Sequence, residues 1–171
     1  MNRSFPRILL WVILCVALAF LPQCSKKAKE AASAPDFALK TLDGREITLS
    51  SLKGKVVLLD FWATWCAPCR EAVPHLIDLY RTHQQEGFEI LGLSMDKGEI
   101  EGVRRFAKSM DIPYPILIGP EEASKNYKVN ALPTTFLIDR EGRIRGKLVG
   151  FNSSISKQLA QQVSDLTREK P

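Results

Sequence analysis

Two cysteines two residues apart, Cys66 and Cys69, follow the apolar run Val56-Val57-Leu58-Leu59 by a few positions. An ordinary thiol is mostly protonated at neutral pH. At the start of a helix, unpaired backbone N–H groups and the helix dipole favour an anion, so a thiol placed there ionises more readily. The thiolate attacks disulfides, and a second thiol close by can release the mixed disulfide that results. The spacing therefore predicts a redox dithiol in which Cys66, nearer the helix start, attacks and Cys69 resolves. No cofactor is implied.

Other uses of the pair fit less well. Zinc takes four ligands, and the remaining cysteines, Cys15 and Cys24, both belong to the N-terminal segment. His75 lies about 240° around a helix from Cys69, and His83 is farther along. A permanently closed bridge is disfavoured because disulfides stabilise most when they close long loops. A copper-binding thiol module would gather Met or His near the dithiol, and Met95 and Met110 form no obvious cluster. A thiol peroxidase built on a similar core would carry Thr three residues and Pro seven before its reactive cysteine. Ala63 and Leu59 stand there instead. Gly54-Lys55 runs straight into Val56 and has no glycine five residues upstream, so it is not a phosphate-binding loop.

A dithiol of this kind needs a strand that ends where a helix begins. Val56–Trp62 reads as a strand buried on both faces. Residues 66–84 read as a helix, with Val73, Leu76, Ile77 and Tyr80 at helical spacing. Pro74 removes the hydrogen bond to the Arg70 carbonyl, so a kink is expected there. Upstream, short runs at 37–39 and 47–49 flank Asp43-Gly44, a hairpin signal, and one helical turn is expected at 50–52. Downstream come a buried strand at 88–93, a one-sided helix at 100–110, an extended piece at 115–118 and a short helix at 121–127. A hairpin of Thr134–Ile138 and Ile144–Val149 follows, turning at Asp139-Arg140-Glu141-Gly142. Ile155, Leu159, Val163 and Leu166 mark a last helix, with Ser153 or Ser154 as its expected cap. The class is α/β: a mixed sheet with helices on both faces.

The chain begins with Arg3 and Arg7 ahead of the uncharged run ILLWVILCVALAFL, the order of an export signal. That run is shorter than the ~20 residues that usually span a bilayer. Leu21-Pro22-Gln23-Cys24 is similar to a bacterial lipoprotein signal in which Cys24 is lipidated, although Gln23 replaces the usual small residue. Ala17-Leu18-Ala19 offers an ordinary cleavage site, and an uncleaved anchor is the third outcome. In every case the folded part is expected outside the cytoplasmic membrane, where disulfides are permitted. The predicted division is a signal or anchor at 1–24, a polar tether at 25–34 and a single domain at 35–171. The net charge of +5 falls to +3 without Arg3 and Arg7. With no basic stripe among aromatics, that charge gives no reason to expect nucleic acid as a partner.

Residues 60–69, together with Leu132-Pro133-Thr134-Thr135-Phe136 and the closing hairpin and helix, resemble a thioredoxin-fold protein. Ala34-Pro35-Asp36-Phe37, the Leu42-Asp43-Gly44 hairpin and the Gly54-Lys55-Val56-Val57 lead-in narrow the resemblance. They are similar to the TlpA/ResA-like branch of membrane-anchored, extracytoplasmic thiol–disulfide oxidoreductases, over residues 34–168. The segment from 95 to 118 resembles the helix-and-strand insertion that sets this branch apart. The resemblance implies a cis peptide before Pro133, which would lie against the dithiol with Leu132 and leave a backbone edge for substrate. It also implies that Asp60 is a buried acid exchanging a proton with Cys69, and burial would raise its pKa. Trp62, Trp65, Ala67 and Pro68 would shape the rim; Trp62 fits the core equally well, whereas Trp65 fits a contact surface. The implied partners are protein thiols and disulfides, apocytochrome c among them, and an upstream membrane thiol reductant; the implied state is a monomer. One departure stands out. Relatives commonly carry Glu three residues after the second cysteine, where this chain has Ala72, and Glu71 is rotated about 100° away. Arg70 and Glu71 are expected to be a solvated helix face.

Overall fold

Strand β3 (Val56–Trp62) carries no exposed residue along its whole length, as a strand covered on both faces requires. The computed structural model describes residues 31–98, 100–119 and 121–169; the expected N-terminal signal or anchor, Cys24 included, lies outside them. β3 pairs in parallel with β4 (Phe88–Ser94), from Val56 opposite Phe88 to Trp62 opposite Ser94. On its other side it pairs antiparallel with β6 (Thr134–Ile138), placing Asp60 opposite Thr135. β5 (Ile116–Ile118) and β7 (Ile144–Val149) complete a five-stranded mixed sheet in the order β5-β4-β3-β6-β7. A separate small hairpin joins β1 (Ala38–Lys40) to β2 (Glu46–Thr48), followed by a 3₁₀ turn at Leu49–Leu52. The parallel β3–β4 pair needs a crossover, and helix α1 (Ala67–His83) supplies it.

Alternation along β3 sends its side chains into two cores. Val56 and Leu58 meet Val73, Leu76 and Ile77 of α1 and Leu159, Val163 and Leu166 of the last helix, α4 (Ser153–Arg168). Val57, Leu59 and Phe61 face the other way, against Leu49, Tyr127 and Ala123 of helix α3 (Glu121–Asn126). Helix α2 (Ile100–Ser109) sits on the α1 side, with Val103 in the cluster that holds Trp62 and both cysteines. Asp60 shares the parity of Val56 and Leu58, so it lies on the α1 face, the face that the dithiol helix covers.

The expected strands, hairpins and helices all form, and α1 continues through Pro74. Pro74 is exposed, while the buried residues on either side of it hold the helix to the sheet. Two local readings change. The cap of α4 is Asn152, not Ser153 or Ser154: its Oδ1 accepts from the N–H groups of Ser154 and Ile155, both at 2.9 Å. Asn is as good a cap as Ser, and its extended backbone precedes the first helical residue. The last residues of the expected tether also pair with the domain. Ala34 N–H donates to the Gly142 carbonyl at 2.9 Å, and Ile144 N–H to the Ala32 carbonyl at 2.8 Å. Those bonds satisfy backbone groups at the β6–β7 turn that would otherwise be open.

Candidate active site

Cys66 is the N-cap of α1 and Cys69 lies in its first turn; the two are joined as a disulfide. Pro68 occupies a first-turn position, where its missing N–H removes no helix bond. The Cys69 N–H points back and donates to Cys66 Sγ at 3.3 Å. A helix start therefore presents a backbone donor to the sulfur of Cys66, the arrangement that favours a thiolate once the bridge is reduced.

The two sulfurs differ in access. Cys66 lines an apolar groove of about 550 Å³ with Trp65, Pro68, Met95, Val129 and Leu132, whereas Cys69 does not reach it. Ala67 also lines this groove. Cys69 is sealed beneath, 1% exposed. Trp65 stands out at 69% exposed, while Trp62 is buried, its indole tilted against Phe106 with ring centroids 5.4 Å apart. Of the two tryptophans, Trp62 thus belongs to the core and Trp65 to the surface. Gly92 makes room for Trp62, since a Cβ there would come within 3.1 Å of Nε1. The Leu132–Pro133 peptide is cis, and the Pro133 carbonyl accepts from Gly150 N–H at 2.8 Å.

Asp60 lies between Gly92 and Thr135 across the sheet. It is 4% exposed, and among the described residues its one hydrogen-bond donor is Thr135 Oγ1, at 3.0 Å. Burial pushes its carboxyl up to about 7, against the smaller opposing effect of that hydroxyl. An Asp with this pKa can both take and return a proton at neutral pH. Ala72 faces the core, whereas Arg70 and Glu71 are exposed, as expected of a solvated helix face. His75 stacks near Phe151 and lies 3.3 Å from Ser156 Oγ. Among the described residues no cluster of His, Cys, Asp or Glu is arranged to hold a metal ion.

Two supporting groups were not singled out by sequence reasoning. Thr135 was legible as part of a Leu-Pro-Thr-Thr-Phe stretch, but its bond to Asp60 follows from strand register. Asp96 is the other. It follows β4 and bonds the loop before Cys66, and no local sequence pattern marks it.

Residues 30–147 match the AhpC/TSA family. A thiol-disulfide oxidoreductase ResA of Bacillus cereus is 37% identical over 157 residues, covering 87% of this chain and 89% of that protein. The thioredoxin-like protein YneN of Bacillus subtilis is 38% identical over 141 residues, covering 81% and 80%. Among solved structures, a putative thiol:disulfide interchange protein DsbE from Chlorobium tepidum superposes with a TM-score of 0.76 at 32% identity, covering 80% of this chain and 96% of its own. With a thioredoxin-like sheet and a dithiol where strand β3 leads into helix α1, this chain belongs to the AhpC/TSA family and is a ResA/DsbE-like thiol–disulfide oxidoreductase.

Proposed function

We propose that the protein is a membrane-anchored, extracytoplasmic reductant of protein disulfides, with Cys66 as attacking thiol and Cys69 as resolving thiol. The asymmetry of the two sulfurs supports this: Cys66 opens on the groove beside exposed Trp65, while Cys69 is sealed away from it. The Cys66 thiolate attacks a substrate disulfide, forming a mixed disulfide and expelling one substrate thiolate. Asp60 takes the proton of Cys69, whose sulfur then attacks Cys66 Sγ. The second substrate thiol leaves, and two electrons have passed from the dithiol to the substrate. Leu132 and cis-Pro133 would line up an extended substrate segment beside the sulfurs, with Trp65, Ala67 and Pro68 as its contact surface.

The surroundings of Cys66 support the reductant direction. Strong oxidants owe their potential to a very stable reduced form. Here Ala67-Pro68 supplies no cation between the cysteines, and the backbone N–H of Cys69 is the donor to the sulfur. Anchoring rests on the N-terminal segment, by lipid at Cys24 or by an uncleaved apolar run. No helix among the described residues is long and apolar enough to cross a membrane. An upstream membrane thiol reductant would recharge the dithiol of the monomer. Disulfides of apocytochrome c are the substrates that the family resemblance implies.

The reduction potential of the Cys66–Cys69 couple tests the assignment. It is expected nearer to the roughly −270 mV of thioredoxin than to the roughly −120 mV of a strong oxidant. A value close to the latter would overturn the reductant role.

A further inference from the structure

The loop that delivers Cys66 is tied to the neighbouring strand by one carboxylate. Residues 63–66 form a turn, closed by Cys66 N–H donating to the Ala63 carbonyl at 3.2 Å. Thr64 and Trp65 are its two central residues, so the Thr64 N–H takes no part in the closing bond. It donates instead to Asp96, at 3.1 Å to Oδ2 and 3.3 Å to Oδ1. The Thr64 hydroxyl donates to Asp96 Oδ1 at 2.6 Å. Behind the carboxylate, Ser94 Oγ donates to Oδ2 at 2.8 Å and accepts from Asp96 N–H at 3.3 Å. Ser94 itself is fully buried. Met95 N–H donates to the Trp62 carbonyl at 2.8 Å, which carries the β3–β4 pairing one step past the strand ends.

We propose that Asp96 is a positioning residue for the dithiol, holding the 63–66 turn so that Cys66 Sγ and the Trp65 indole keep their places at the groove. Several observations converge on it. Both hydrogen-bonding groups that Thr64 can donate go to this one side chain, and a charged acceptor makes stronger bonds than a neutral one. The neighbouring cation, Lys97, is engaged with Glu121 at 2.7 Å. Among the described residues no Lys or Arg pairs with Asp96, so its oxygens serve the turn and Ser94. The turn runs directly into the Cys66 cap, whose sulfur must stay where Cys69 N–H reaches it. A turn free to swing would move the sulfur and the indole together, away from the helix start and from the groove wall formed by Met95 and Leu132. The inference rests on Cys66 being the attacking thiol.

The test compares purified full-length wild type, Asp96→Ala, Asp96→Asn and Thr64→Val. Three quantities are read: the rate of insulin disulfide reduction, the first cysteine alkylated by iodoacetamide in the reduced protein, and the thermal midpoint. Asp96→Ala is expected to slow insulin reduction about tenfold, since small misplacements of reacting groups are costly. Thr64→Val, which keeps the N–H bond, is expected to slow it about threefold, by the same reasoning at smaller amplitude. Asp96→Asn is expected to recover to within about threefold of wild type, because its amide oxygen still accepts from Thr64 while its NH₂ can donate to Ser94. A purely structural tie would instead rank the rates by thermal midpoint. Wild-type rates in Asp96→Ala and Thr64→Val, with Cys66 still alkylated first, overturn the positioning role alone. So does an Asp96→Asn protein as slow as Asp96→Ala. Should Asp96→Ala fail to fold, Thr64→Val decides, and a wild-type rate there counts against the proposal. Alkylation of Cys69 ahead of Cys66 in the wild type would strike the attacking-thiol assignment instead.

Discussion

Asp60 and Asp139 expose the same small fraction of their surface, 4% each, but Asp60 lies deep in the sheet and Asp139 just beneath the surface, and their carboxyls move in opposite directions. They sit at opposite ends of the sheet. Asp60 is near the dithiol end of β3, and Asp139 directly follows β6, beside the start of β3. Asp60 is given one neutral hydroxyl, and burial raises it to about 7. Burial also pushes Asp139 upward, but it is outweighed by backbone and guanidinium donors from Arg143, with Arg145 adding to them, so this carboxyl lies below its usual value. Glu141 N–H and Arg143 N–H reach Oδ1 at 3.1 and 2.8 Å, and Arg143 Nε reaches Oδ2 at 2.8 Å. Surface exposure alone therefore does not decide the charge of an Asp in this fold; how deep the carboxyl lies and the number and charge of its donors do. A carboxylate with full partners holds a turn together, and one left short of partners is poised to exchange a proton.

The largest expected effect separates the two by activity. Asp60→Asn removes the proton acceptor proposed for Cys69 and should slow release of the mixed disulfide about a hundredfold at pH 7, within the range of general acid–base catalysis. Asp139→Asn should leave that rate within about twofold. Rapid-quench measurement of mixed-disulfide decay checks both, and equal losses in the two variants would erase the distinction drawn between them.

Stability should separate them with opposite signs. The raised pKa of Asp60 means that the folded protein holds this proton more tightly than the unfolded chain does. Its effect on stability is therefore most favourable below about pH 4 and is lost as pH rises towards 7. Raising a carboxyl from 3.8 to about 7 corresponds to a cost on the order of 4 kcal/mol once it is ionised. At pH 8, Asp60→Asn should accordingly be more stable than wild type by about 2–4 kcal/mol, and the gain should vanish near pH 4. Asp139 runs the other way. Its lowered pKa adds stability that is complete above the unfolded value and disappears as pH falls through the folded one. Asp139→Asn should cost about 2 kcal/mol at pH 7, the scale of hydrogen bonds to a charged group. Denaturant melts across pH 3–8 measure both curves, and parallel curves would contradict the assignment of the two shifts.

How far each of these aspartates could be read from the chain follows the same division. Residue order was enough for the strand that holds Asp60, because Val56–Trp62 is continuously apolar around it and ends at the cysteines. It was also enough for the hairpin turn that holds Asp139. Partnership was not legible. Thr135 meets Asp60 across 75 positions of sequence, and only the β3–β6 register brings them opposite. Asp96 reaches Thr64 across 32 positions for the same reason. Local capping was legible in kind but not in place: Ser153, Ser154 and Asn152 are all good caps, and backbone conformation selects among them. The pairing of residues 32–34 with the β6–β7 turn has no signature in the sequence, because Ala and Ser carry no apolar pattern. Backbone groups make the hydrogen bonds, and the Ala34 side chain packs at the edge of the core.

The smallest expected effect tests the donor rule most directly. Thr135→Val keeps the shape of the side chain and removes the one hydroxyl that opposes the burial of Asp60. The carboxyl should then titrate above 7. One neutral hydrogen bond contributes about 1 kcal/mol, and a factor of ten in proton affinity is 1.36 kcal/mol, so the upward move should stay below about one pH unit. The pH midpoint of mixed-disulfide release should rise by that amount, while the plateau rate at high pH stays near wild type. Asp60 ionises later in this variant but is no less able to accept the proton. A midpoint that falls would show that Thr135 donates chiefly to the neutral acid. The raised pKa of Asp60 would then owe as much to its partner as to its burial, and the contrast with Asp139 would have to be drawn on charge alone.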